Sequence, residues 1–297
     1  DAQSGVKKLF ADKELAAWME ERGYQFSSAN SINIGRLVPQ IVYYVYAYAQ
    51  LVKEGRIKAG EEINVTVPTG NFGNILAAYY AKNMGLPIKK LICASNDNKV
   101  LYDFFRTGAY DRNRDFILTT SPSMDILISS NLERLIYLST CCDAEETKKR
   151  MEELSKDGKY SVTDEMRARM ADFVGGYADQ AANAAEIKRL YDETGYMIDT
   201  HTGVASCVYH NYVKETGDTK KTVIASTASP YKFSRSVMEA IFGSEEGKGE
   251  FELIDEMEKA SGVKIPQAIE EIRKAEIRHN RQCKPEEMEK TVSEILQ

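Results

Sequence analysis

The amino-acid sequence predicts an α/β fold built on a parallel sheet, with a helical C-terminal extension. Three observations carry this. Short apolar or β-branched runs at 63–67 and 91–94 flank a stretch with helical spacing at 74–84, and strand, helix, strand in that order is a βαβ unit. A further β-branched run at 222–226 is followed by helical spacing at 234–242. From 251 onward the chain is charged and helical in pattern, and 243–297 holds 14 acidic and 9 basic residues, most of the net charge of -6. The expected division is therefore 1–242 for the α/β domain and 243–297 for the charged extension.

The elements follow in order. Residues 13–21 read as a short amphipathic helix stopped by Gly23, and 27–33 as a polar loop. Residues 36–54 form one long helical pattern ended by Gly55, with Tyr43, Tyr44, Tyr46 and Tyr48 on more than one face. That distribution predicts a helix buried on most sides or covered by another domain. Residues 63–67 read as a buried strand, 68–73 as a turn, 74–84 as a helix, and 91–94 as a second strand. Residues 116–120 read as a third short strand. Helices are expected over 126–138, 145–154, 164–174, 177–191 and 201–213, then a strand at 222–226 and a helix at 234–242.

Composition excludes several classes. The chain has no basic block, which argues against general nucleic-acid binding. No run approaches 18 uninterrupted apolar residues, so no membrane span is expected. Five cysteines, Cys93, Cys141, Cys142, Cys207 and Cys283, form no regular framework and read as reduced thiols in a cytoplasmic protein. With no C-x-x-C and only three histidines, no metal site is expected.

The most informative stretch is Pro68-Thr69-Gly70-Asn71-Phe72-Gly73-Asn74, between a strand and a helix start. Gly70 and Gly73 allow positive φ and close backbone approach, so the following amides can converge on an anion at the positive end of a helix dipole. The spacing matches neither the G-x-G-x-x-G fingerprint nor Walker A, and the same residues would suit a turn that merely reverses the chain. Ser226-Thr227-Ala228-Ser229-Pro230 follows the strand at 222–226, where open α/β sheets place ligands; it would equally suit a loop capping a helix at Ser234. Ser31, Asn33 and Arg36 sit at the mouth of a helix as a second anion clamp or as an ordinary helix start with Asn33 as cap. His201 opens another helix. It could serve as a general base, although a lone histidine there more often ties its neighbours together.

Taken together, these stretches resemble threonine synthase, a pyridoxal-phosphate enzyme of fold type II. The segments at 27–40, 68–74, 201–205 and 226–233 occur in family order and cover most of the chain. The resemblance implies an α/β, parallel-sheet large domain of fold type II, incomplete here. It implies that Gly70, Asn71, Phe72, Gly73 and Asn74 hold the phosphate of pyridoxal 5'-phosphate and that Thr227 meets the pyridine nitrogen. Ser31, Asn33 and Arg36 become candidates for the substrate phosphate. The implied reaction converts O-phospho-L-homoserine and water to L-threonine and phosphate by γ-elimination and β-addition. Such an enzyme is a lyase of amino-acid biosynthesis.

One departure matters. The family's Schiff-base lysine lies in a Phe-Lys-Asp-like segment well before the glycine loop. Here the preceding lysines are Lys7, Lys8, Lys13, Lys53 and Lys58, and none sits in such a segment. The resemblance therefore implies a C-terminal portion whose partner is the missing N-terminal part of the same protein, and which is inactive alone. Two alternatives stand beside it: another fold type II enzyme, such as a threonine dehydratase or cysteine synthase relative, and a non-catalytic module that binds a phosphometabolite.

Overall fold

A computed structural model describes residues 2–27, 32–278 and 280–296. Two compact units divide the chain, one of residues 30–267 and one of 1–29 with 268–297. In the smaller unit, α1 (Ala2–Ala11), α2 (Lys13–Glu20) and the C-terminal helix Met288–Ile295 pack together. Asp12 caps α2 by accepting from the amides of Glu14 and Leu15.

The larger unit begins with α3 (Ile34–Leu37), a 3₁₀ turn Val38–Gln40 and α4 (Ile41–Lys53). The expected single helix over 36–54 is interrupted because Pro39 lacks an amide proton. Then come β1 (Ile63–Pro68), α5 (Gly73–Asn83), β2 (Ile88–Ser95), α6 (Val100–Thr107) and β3 (Ala109–Asp111). They are followed by α7 (Leu132–Ser139), α8 (Ala144–Asp157), β4 (Lys159–Ser161), α9 (Asp164–Arg169) and β5 (Phe173–Tyr177). The unit continues with α10 (Gln180–Thr194), α11 (Thr200–Thr216), β6 (Thr222–Ile224), α12 (Ser234–Phe242) and α13 (Glu250–Ser261).

Four strands form a parallel sheet in the order β5-β2-β1-β6, and β3 pairs antiparallel with β4. Side chains alternate across the sheet. Val65, Val67, Leu91 and Cys93 join Ile75, Leu76, Tyr44 and Tyr48 in one core layer. Ile92 and Ala94 point the other way, against Val204, Ala205 and Val208 of α11. Helices thus cover both faces, which is why β1 is buried along its whole length. From β1 the chain moves outward through β2 to β5, then returns to lay β6 on the opposite side of β1. The β1–β6 junction is the switch point of the sheet. No helix among the described residues is long and apolar enough to cross a membrane.

Several expectations need correction. Residues 116–120 form no strand. The Asn98 side chain accepts from the Ile117 amide (3.0 Å) and donates to its carbonyl (2.8 Å), and Asp125 accepts from the Thr119 amide (2.9 Å). Side chains take the backbone groups that a neighbouring strand would have paired. The helix expected over 126–138 starts only at Leu132, and the one over 164–174 ends at Arg169. The sequence pattern misses β5. Its Gly175 and Gly176 hide the strand but serve close packing, since a Cβ on Gly176 would lie 2.4 Å from Val208 Cγ1. The expected boundary after residue 242 is not where the units part. α13 buries Leu253, Ile254 and Met257 and packs on α12, so it belongs to the larger unit. α4 buries Tyr44 and Tyr48 but leaves Val42, Tyr43, Val45 and Tyr46 exposed, so it is not enclosed on most sides within this chain; the exposed apolar face is the one that the other expectation, cover by another domain, requires.

Candidate active site

The loop that leaves β1 is shaped from behind. The Gly70 carbonyl accepts from Ser129 Oγ (2.7 Å), and the Asn71 carbonyl accepts from the Asn131 amide (3.1 Å) and Nδ2 (2.8 Å). Asn74 Oδ1 accepts from the Tyr44 hydroxyl. The amides of residues 70–75, by contrast, meet no acceptor among the described residues, and those of Gly73, Asn74 and Ile75 open α5. Unpaired amides at a helix start, with the dipole behind them, form an anion cradle.

Its backbone differs from the expectation. Neither Gly70 nor Gly73 has a positive φ; Phe72 does, at 65°. A non-glycine residue there costs on the order of 1 kcal/mol or more. The Phe72 ring holds it, buried with centroids 5.5 Å from Phe173 and 6.0 Å from Phe105. Gly70 is required for a different reason. A Cβ there would sit 2.3 Å from the Ser123 carbonyl oxygen.

The segment after β6 faces the same space. One cavity of about 240 Å³ is lined by residues 67–75, Ser123, Met124, His201, Thr227, Ala228, Lys232 and Gln40. The Thr227 hydroxyl has no partner among the described residues, and Lys232 is the one lysine or arginine in that lining. Ser229 accepts from the Tyr231 amide and caps the 3₁₀ turn Pro230–Phe233. Ser234 is therefore not the cap; it lies inside α12 and its hydroxyl donates to Glu250 (3.0 Å). A larger groove of about 900 Å³ beside α7 and α8, lined by Tyr80, Tyr137 and Met151 among others, includes no residue of the loops that leave β1 and β6, and so lies away from the switch point of the sheet. The smaller cavity is the better candidate.

A buried trio, Asp199, His201 and Thr202, backs the cavity. Asp199 caps α11 and meets His201 Nδ1 at 3.0 Å, while His201 Nε2 accepts from the Ser123 amide at 3.1 Å. An amide can only donate, so Nε2 is the bare nitrogen and Nδ1 carries the proton. Burial pushes the Asp199 carboxyl up, but hydrogen bonds from His201 and Thr202 outweigh it and hold it below the usual value. With its lone pair occupied, His201 is a structural hydrogen-bonder here and not a free base.

The sequence-predicted residues fall into two groups. Gly70, Asn71, Phe72, Gly73, Asn74 and Thr227 line one cavity. Asn33 and Arg36 do not line it: Asn33 caps α3 by accepting from the Gly35 amide (2.9 Å), and Arg36 lies on the exposed side of α3. Ser31 lies outside the described residues. Gln40, which donates to the Arg36 carbonyl (2.9 Å), reaches the cavity instead. Sequence reasoning missed Ser123, Met124, Gln40 and Lys232. Lys232 and Gln40 were within reach, because they lie in the segments 226–233 and 27–40; Ser123 and Met124 carry no local signal.

Comparison with known proteins adds the following. A family model described as "Threonine synthase, C-terminal" matches residues 202–283. "Threonine synthase-like 1" of Macaca fascicularis is 42% identical over 242 residues, which are 80% of this chain and 32% of that protein. Threonine synthase of Schizosaccharomyces pombe is 38% identical over 259 residues, 80% of this chain and 49% of the relative. A solved structure of PLP-bound threonine synthase from Brucella melitensis superimposes with a TM-score of 0.72 at 35% identity, covering 85% of this chain and 52% of that one. The chain thus spans between a third and about half of the proteins it matches.

Proposed function

This chain belongs to the threonine synthase family, and on that premise we propose that its cavity holds pyridoxal 5'-phosphate. One observation carries the reading. Loops leaving the carboxyl ends of two adjacent parallel strands, β1 and β6, line a single cavity at the switch point of the sheet.

The residues fit the group. Amides 70–75 without acceptors suit a phosphate, and the site has no room for a side chain at Gly70, so an anion meets bare backbone. Thr227 offers an unpaired hydroxyl for a ring nitrogen. A hydroxyl has no negative charge to raise that nitrogen's pKa, so it orients the ring without favouring its protonation. Pyridoxal phosphate supplies an electron sink for charge that develops on carbons near the substrate amine. Lys232, the lysine in the lining, adds positive charge on the Thr227 side. Asn33 and Arg36, with Ser31, are proposed for the substrate phosphate, as the family likeness implies.

The proposed reaction is that of the family: O-phospho-L-homoserine and water give L-threonine and phosphate. This chain spans about half of an enzyme such as the fission-yeast relative. We propose that by itself it is silent, because the family's cofactor-anchoring lysine has no counterpart in its motifs. The test incubates the purified chain with pyridoxal phosphate and O-phospho-L-homoserine, and assays threonine and phosphate. A parallel reaction adds the separately expressed N-terminal half of a family enzyme. Activity is expected in the mixture alone; steady threonine release from the chain by itself would refute its silence.

A further inference from the structure

The cradle and the Thr227 segment come from different loops, and something must set the distance between them. The chain of contacts that does so begins at Asp199, which is fully buried. Its Oδ1 accepts from the His201 amide (2.8 Å) and sits 3.0 Å from His201 Nδ1, and its Oδ2 accepts from the Thr202 hydroxyl. These contacts fix the plane of the His201 ring and its tautomer. The far side of the ring accepts the Ser123 amide, and the Ser123 carbonyl lies flush against Gly70. On its flank the same ring packs on Phe233, with centroids 4.7 Å apart, next to Lys232 and at the end of the segment that begins with Thr227. The proton of the Thr202 hydroxyl goes to Asp199, so Thr202 Oγ1 accepts from the Ser226 hydroxyl (3.3 Å), one residue before Thr227. The imidazole is thus a spacer with one face toward each half of the cavity.

We infer that His201, oriented by Asp199, is a positioning residue that holds the Ser123 turn, and through it the Gly70 cradle, in register with the Thr227 segment. This rests on the reading of the cavity as a pyridoxal-phosphate site. His201 touches no reacting atom in this account. Its contribution is to keep two recognition elements at one fixed separation, which a cofactor with a phosphate at one end and a ring nitrogen at the other requires.

The test compares two substitutions that separate the acceptor from the ring. His201→Phe keeps a ring against Phe233 but has no acceptor for the Ser123 amide. His201→Gln places an amide oxygen near the position of Nε2 and loses the ring. Affinity for pyridoxal 5'-phosphate is measured by calorimetry, and exchange of the Ser123 amide proton by NMR without ligand. The expected result is that His201→Phe weakens binding about tenfold or more and speeds Ser123 exchange by a similar factor, while His201→Gln stays within about threefold of the parent in both. Equal behaviour of His201→Phe and the parent overturns the inference. So does equal loss in both variants with folded spectra, because the acceptor would then not be what counts. If neither variant folds, the long-range proton–nitrogen spectrum of the parent decides: a bare Nε2 supports the inference, and a protonated Nε2 overturns it. If the parent binds no cofactor, the pyridoxal-phosphate reading fails, while the exchange data still decide whether His201 holds the Ser123 turn.

Discussion

Replacing Gly70 by alanine adds a single methyl group at the tightest point of the cradle. The new Cβ would lie 2.3 Å from the Ser123 carbonyl oxygen, about 1 Å short of an ordinary contact near 3.4 Å. Ser123 cannot retreat freely, because its amide is bound to His201 and the neighbouring Ser121 is tied to Asn96 (3.2 Å). The Gly70 loop must give way. Overpacking of this kind costs about 1–3 kcal/mol, or a fall in Tm of roughly 2–10 °C for a unit of this size. A displacement of about 1 Å also carries at least one amide outside the 2.7–3.2 Å range of a good hydrogen bond. Hydrogen bonds to charged groups are worth about 1.5–3 kcal/mol, so affinity for pyridoxal phosphate should fall between about tenfold and a hundredfold. Calorimetric titration beside a thermal melt measures both quantities. Parental affinity with an unchanged Tm would show that the close approach at Gly70 does not shape the site.

Four further outcomes follow from the same geometry. In an active assembly with the N-terminal half, Thr227→Asp should protonate the ring nitrogen, because an anion beside a base raises its pKa, and divert product away from threonine; an unchanged product ratio would remove Thr227 from that role. Phe72→Ala should cost about 3–5 kcal/mol in a denaturant melt, since it empties a buried site between Phe105 and Phe173. Asp199 is held below its unfolded-state value, so its stabilisation is present above the unfolded pKa and is lost as pH falls through the folded one. Melts of the parent and of Asp199→Asn should therefore converge under acid and diverge near neutrality; parallel curves would contradict this. The exposed Val42, Tyr43, Val45 and Tyr46 of α4 predict concentration-dependent association in sedimentation, reduced by Val42→Lys with Tyr46→Lys.

How much of this was legible beforehand depends on where each signal resides. The βαβ unit was readable because buried parallel strands are short apolar runs whose cause is local, and β6, half-buried at the sheet edge, was readable from its β-branched Thr222, Val223 and Ile224. The cradle was readable for the same reason: a strand end, two glycines and a helix start are contiguous in sequence. Its mechanism was not. The residue with positive φ is Phe72, held by Phe105 and Phe173 from distant elements, and Gly70 serves a contact with Ser123 more than fifty positions away. β5 was hidden because its glycines answer to Val208 and Tyr102 across the sheet. The loop at 116–125 imitated a strand because its partners are the side chains of Asn96, Asn98 and Asp125. In each case the missing information was tertiary, carried by residues that sequence proximity does not connect.

The central claim is that the amides of 70–75 recognise a phosphate on a pyridoxal-type ring. Calorimetric titration of the chain with pyridoxal 5'-phosphate, and then with pyridoxal lacking the phosphate, tests it most directly. The account predicts measurable binding of the phosphorylated form, competed by inorganic phosphate, and at least about tenfold weaker binding of pyridoxal, the loss expected for one or more charge-assisted hydrogen bonds. Equal affinity for the two, untouched by phosphate, would contradict it.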